Sequence, residues 1–179
     1  MHAEGSLTEQ RHRLGTVAAV NEPPANVDLA DLLRLVQQCW DESVDSLEHL
    51  PVGFGAHHWH ARAADGASYF VTLDHLDRRH TLGTVHHAYA GAAALARVGL
   101  DFVSAPIEPF AVPCAAGAVS VTPWVRGTAV TSIDVDATAA MLARLHAVEP
   151  GTLGVQLPEW RPVVGTDLVE QIKLLTRRL

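Results

Sequence analysis

Gly53 and Gly55 flank Phe54 where one strand-like run ends and another begins, in the stretch Val-Gly-Phe-Gly-Ala-His over 52–57. With no Cβ in the way, backbone N–H groups in such a turn can close on phosphate oxygens, and a nest of amides of this kind binds anions. Ala56 and His57 carry the chain out of it. An ordinary hairpin turn uses the same two glycines, so both readings stand at this point. Further on, Phe70 and Thr72 share one face of an extended run by alternation, a ring beside a hydroxyl. A threonine hydroxyl can hydrogen-bond a phosphate, though without the full charge that makes lysine strong there. Arg62, Arg78 and Arg79 are the nearby cations, and arginines in such positions are more often solvated surface charges.

Histidines form a second set. His58 and His60 lie on one face of a presumed strand and His57 on the other, while His86 and His87 sit on a presumed helix. Two imidazoles at i and i+2 bind a metal if a third ligand arrives from elsewhere. No third ligand is visible in the sequence, so hydrogen-bonded or exposed histidines are the preferred reading. Asp74, His75 and Asp77 have the residue types for acid/base work, yet a polar strand end running into a loop accounts for them more simply. Serine and histidine occur without a Gly-x-Ser-x-Gly elbow, which disfavours a hydrolase.

The elements that must position these groups follow from periodicity. Asp28 caps an amphipathic helix that presents Leu29, Leu32, Leu33 and Val36 and ends near Trp40. Strands are expected over 44–51, 57–63 and 67–74, joined by the glycine turn and by Ala64-Asp65-Gly66, as an antiparallel meander. A helix over 81–98 places Val85, Tyr89, Ala92, Leu95 and Ala96 on one face and stops at Gly99. Strands over 107–112 and 118–124, with a loop from Pro113 to Gly117, bring the sheet to five. A capped helix from Asp136 to Val148 carries Met141, Leu142, Leu145 and Val148, and a Gly/Pro-rich stretch follows to Pro162. A further helix is expected from Asp167 to Leu179, where the sequence stops without an end signal. The fold class is α+β: a five-stranded antiparallel sheet with flanking helices.

Composition narrows the function. The chain has 179 residues, 48% hydrophobic and 18% charged, which suits a globular protein. Thirteen Lys and Arg against twenty Asp and Glu give a net charge of −7, and a nucleic-acid binder needs a basic stripe instead. Cys39 and Cys114 stand far apart and form no CxxC pattern, so two reduced, buried thiols are expected. The longest apolar run, Ala88 to Ala96, is too short and alanine-rich to span a bilayer, and the expected location is the cytoplasm.

Three stretches in order resemble the aminoglycoside phosphotransferase family, which shares its fold with protein kinases. They are the glycine-turn hairpin over 52–74, AAALARVGLDFVSAP over 92–106, and VSVTPWVRG followed by MLARLHAVEP within 119–150. Charge, small residues and the Pro23-Pro24 pair mark 1–26 as a flexible leader or arm, and the resemblance, which covers about residues 44–179, implies a kinase-like N-terminal lobe over 27–126 and an incomplete start of a helical C-terminal lobe over 127–179. It implies ATP and Mg2+ as cofactors, and a cofactor site at Gly53, Phe54, Gly55, Ala56, His57, Phe70, Thr72, Thr122, Pro123, Trp124 and Val125. In the family the stretch Val121 to Val125 resembles the hinge whose backbone reads an adenine edge. Pro123 has no N–H, so a donor must come from a neighbour. An edge strand running into a linker is the other reading of that stretch.

The departures from the pattern are specific. In kinases a third-strand lysine pairs with the α- and β-phosphates and with a glutamate of the next helix. Here Thr72 takes that place, Lys173 is the only lysine, and no acidic residue lies between Arg78 and Leu100. The family's His-Gly-Asp catalytic loop does not occur, so no catalytic residue is named. The expected function is the ATP-binding portion of a small-molecule phosphotransferase, inactive alone, whose acceptor is a hydroxyl-bearing small molecule such as an aminoglycoside. The alternative is a degenerate kinase-like binding module. The apolar stripes of the later helices predict a homo-oligomer.

Overall fold

The computed structural model describes residues 22–53, 55–78, 80–128 and 132–159. Residues 1–21 of the expected leader, Phe54, Arg79 and the helix expected over 167–179 lie outside them. The described residues form an α+β fold with a five-stranded antiparallel sheet in the order β1-β2-β3-β5-β4.

The strands arise where apolar residues alternate. β1 (Val44–Leu50), β2 (Ala56–Ala63) and β3 (Ser68–Asp74) form the expected meander, with Leu47 opposite Ala61 and Trp59 opposite Val71. β5 (Gly117–Pro123) then runs beside β3, pairing Val71 with Val121 and Thr72 with Ser120. On one face, Trp59, Ala61, Val71, Leu73, Val119 and Val121 meet Leu32 and Val36 in a dry core. Those two come from α1 (Leu29–Cys39), which begins where the Asp28 carboxylate accepts hydrogen bonds from the Ala30 and Asp31 amides. Trp59 is 1% exposed, and fully burying a large apolar side chain stabilises a fold by about 1.5–3 kcal/mol.

Polar links tie α1 to the sheet. The Trp40 indole N–H is shared between the Ile107 and Pro109 carbonyls at 3.1 and 3.2 Å. The Tyr69 hydroxyl donates to Asp41 at 2.7 Å, and Asp41 also accepts from the Ser43 hydroxyl and amide. Hydrogen bonds from Ser43 and then Tyr69 hold the Asp41 carboxyl below its usual range, while the same bond pushes the Tyr69 phenol up to about 12.

The strand expected over 107–112 is not there: β4 is Val112–Cys114 alone, and the turn to β5 is Ala115-Ala116. Pro106, Pro109 and Pro113 supply no N–H, so a ladder cannot run through this segment, and Pro113 is tolerated only because β4 is the sheet edge. Ile107 keeps one link, donating its N–H to the Val121 carbonyl at 2.8 Å. Gly117 opens β5 because a Cβ there would lie 2.0 Å from the Asp74 carbonyl oxygen.

α2 (Leu82–Arg97) is capped by Thr81 and ends before Gly99, as expected, but its buried stripe is rotated. Val85, Ala90, Gly91, Ala93 and Ala94 are buried, in place of the expected Val85, Tyr89, Ala92, Leu95 and Ala96. Two contacts account for this: the Tyr89 hydroxyl turns to the sheet, and Leu157 packs on Gly91, where a Cβ would stand 2.9 Å from its methyl carbon. α3 (Val135–His146) is capped by Asp134, not by Asp136, which lies in its first turn. Met141 and Leu142 are exposed, and no residue of α3 is buried. Cys39 and Cys114 are free and half-buried, more open than the sequence suggested. Among the described residues no helix is long and apolar enough to cross a membrane.

Candidate functional site

The second face of the sheet carries the residues that β2, β3 and β5 alternate away from the core. His58 and His60 come from β2, Phe70, Thr72 and Asp74 from β3, and Ser120 and Thr122 from β5, with Trp124 just beyond the strand. Four rings run across this face. His58 stacks on Phe70 at 4.7 Å, Phe70 lies 6.2 Å from Trp124, and Trp124 stacks on His60 at 3.9 Å. Half-exposed rings on adjacent strands pack this way because each covers its neighbour's apolar face.

Beside Phe70 and Trp124 opens a cavity of about 560 Å³. Phe70, Thr122, Pro123, Trp124 and Val125 form one wall, and Asp101, Phe102, Val103 and Ser104 from the connection after α2 form the other. Arg144 of α3 holds that second wall in place. Its guanidinium donates to the Gly99 carbonyl at 2.8 Å, pairs with Asp101 at 3.0 Å and lies 5.1 Å over the Phe102 ring. Among the described residues the lining of the cavity includes no lysine or arginine.

The backbone at the exit of β5 is partly committed. The Trp124 N–H donates to the Ser68 carbonyl at 3.0 Å, and the Val121 carbonyl accepts from Ile107. Pro123 has no N–H to give, and Val125 follows it along the same cavity wall.

At the other end of the ring ladder the chain closes on itself. Gly53 adopts φ +92°, and a Cβ there would fall 2.6 Å from His58 Nε2, so the glycine turn sits down on the imidazole. His58 Nδ1 is 3.2 Å from the Thr72 hydroxyl, which is therefore engaged within the protein. Beside this pair the Tyr89 hydroxyl donates to Asp74 at 2.6 Å, and the buried Ser120 side chain hydrogen-bonds the same phenol. Burial holds the Asp74 carboxyl above its usual range, against the pull of the Tyr89 bond and of His58 and His80. Burial likewise holds His58 below the ordinary histidine value, with the Asp74 charge only partly opposing it. His60 is lowered for the same first reason, and then by Arg62.

The sequence-derived site residues therefore divide. Phe70, Thr122, Pro123, Trp124 and Val125 meet around one cavity. Gly53 and Thr72 are joined through His58, whereas Gly55 and Ala56 lie where β2 starts and Phe54 is outside the described residues. His57 turns to the opposite face, toward His49 and Trp59. Arg62 is paired with Glu48 at 2.6 Å and is absent from the cavity lining.

Asp74 and Tyr89 are the main omissions. Asp74 reads as a polar strand end because nothing local in sequence shows that a tyrosine from α2 will cover it. His58 is a further omission, and the sign was available: strand alternation alone places it beside Phe70 and Thr72. Among the described residues no group of three or more His, Cys, Asp or Glu is arranged to hold a metal ion. No protein-family model matches the chain, and no curated protein is detectably similar to it.

Proposed function

We propose that residues 27–126 are the N-terminal lobe of a kinase-like phosphotransferase fold, and that the cavity beside Trp124 receives the adenine ring of a nucleotide. One observation carries this reading. The third strand and the exit of the fifth, far apart in sequence, meet around a single aromatic-walled cavity of about 560 Å³, within the range of about 300–1,000 Å³ common for small-molecule sites. Phe70 and Trp124 offer apolar surface to a flat ring and the Thr122 side chain offers a polar group, while a backbone donor would have to come from Val125, since Pro123 has no N–H and that of Trp124 is bonded to Ser68.

The fit ends at the phosphates. His58 fills the space beneath Gly53, Thr72 is bonded to His58, and the nearby ionisable pair is Asp74 with Tyr89 rather than a lysine with a glutamate. Among the described residues no group of three or more His, Cys, Asp or Glu is arranged to hold a metal ion, and no step of phosphoryl transfer is assigned to them. The same facts favour the second reading, a kinase-like binding module without catalysis.

Titration of the chain with Mg-ATP, followed by backbone amide shifts, separates the readings. The adenine cleft predicts weak binding with shifts centred on Phe70 and 122–125, reduced at least tenfold in affinity by Trp124→Ala. A binding module with no adenine site gives no shifts with ATP or with adenosine.

A further inference from the structure

We propose that this cleft takes a purine nucleoside, held by its base, in preference to a nucleoside triphosphate. The inference rests on the adenine-cleft reading above and specifies its ligand.

The two ends of the ring ladder differ in what they offer. At the Trp124 end there is room and aromatic surface, and among the described residues the lining includes no lysine or arginine. At the Gly53 end the His58 imidazole takes up the space beside the glycine. The imidazole of His58 stacks on Phe70 at 4.7 Å and lies beside Gly53, where an added Cβ would fall 2.6 Å from its Nε2, so the ring occupies the space next to that glycine. A phosphate would have to displace a ring that is also bonded to Thr72 at 3.2 Å.

Charge points the same way. Burial keeps His58 toward its neutral form near pH 7, so the ring that occupies this position brings little compensating charge. Next to it stands the Asp74 carboxyl, which accepts from Tyr89 at 2.6 Å and would repel a polyphosphate whenever ionised. The cation tied to the cavity wall, Arg144, is neutralised by Asp101 and engaged by the Gly99 carbonyl. A nucleoside asks for none of these groups. Its base needs apolar faces and a few hydrogen-bonding partners, and its ribose can remain at the open mouth.

The test compares adenosine with Mg-ATP on the complete 179-residue chain by calorimetry or amide-shift titration. Adenosine is expected to bind at least tenfold more tightly. Equal or tighter binding of Mg-ATP overturns the preference and leaves the adenine cleft standing. Failure of both ligands to bind overturns the cleft and the preference together. Asp74→Asn, checked for folding by circular dichroism, is expected to bring Mg-ATP several-fold closer to adenosine. An unchanged ratio in a folded variant removes the carboxyl from the explanation.

Discussion

The two faces of the sheet are built from alternate residues of the same strands, yet they do different work. Trp59, Val71, Val119 and Val121 are each no more than 1% exposed and lie under α1. Their neighbours His58, Phe70, Ser120 and Thr122 turn the other way, and Phe70 and Thr122 among them line an open cavity. The first face is a store of stability, since Trp59, Val71, Val119 and Val121 are buried and packed against apolar neighbours. The second is half-buried and polar, an arrangement that contributes less to folding and leaves groups available to a ligand.

The largest expected contrast is between two tryptophans. Trp59→Ala should cost about 3–5 kcal/mol, as large-to-small changes in a packed core do, and should lower the urea midpoint steeply. Trp124→Ala should cost only about 0.5–1.5 kcal/mol, from its lost stacking on His60, while removing the cavity wall. Equal losses in chemical denaturation would erase the distinction between the faces.

Next comes the glycine turn. Gly53→Ala forces a Cβ into a positive-φ residue and against His58, for a loss of about 1–3 kcal/mol. Gly55→Ala, also at positive φ but with nothing within 4 Å of the added atom, should cost less. In a double-mutant cycle, His58→Ala should relieve part of the Gly53→Ala loss; strictly additive effects would show that the turn does not rest on the imidazole.

A smaller effect is expected from pH. His57, His58 and His60 all have folded-state values below the 6.5 of free histidine, so the unfolded chain takes up protons first on acidification. Stability should therefore fall as pH drops below about 6.5, by an amount limited by solvent screening, and His58→Gln should flatten that part of the profile. Asp74 acts oppositely. Its folded value is raised, so its contribution is full below 3.8 and is lost as pH rises through that folded value. Urea midpoints measured from pH 7.5 to 5.5, which do not fall in the wild type or do not flatten in the variant, would refute the histidine account. The smallest change is Arg62→Ala. Its pair with Glu48 is 50% and 59% exposed, and its loss should cost at most about 1 kcal/mol in thermal denaturation, without moving the ligand-induced shifts.

Much of the fold was legible because it depends on short-range patterns. The alternation over 44–51, 57–63 and 67–74 located three strands to within a residue, and Asp28 marks a helix start through its own side chain. The segment from Ile107 to Pro113 was misread because its apolar character suits a strand while its prolines prevent one, and that conflict is settled by ladder hydrogen bonds. The buried stripe of α2 was likewise hidden, since its alanine-rich sequence offers several similar stripes and Leu157, far downstream, packs on one of them at Gly91.

By itself, then, the sequence determined a meander whose alternate residues separate a dry face from a polar one, because side chains of a strand point in turn to opposite sides. It also determined that no lysine stands on β3. Only the tertiary structure decided what occupies the space so left. Gly53 closes over His58, and Tyr89 reaches Asp74 across from α2, pairings between residues with no local signal of each other. It also decided that the 101–104 connection faces Trp124 to enclose a cavity, since walls from separate elements exist only once those elements pack.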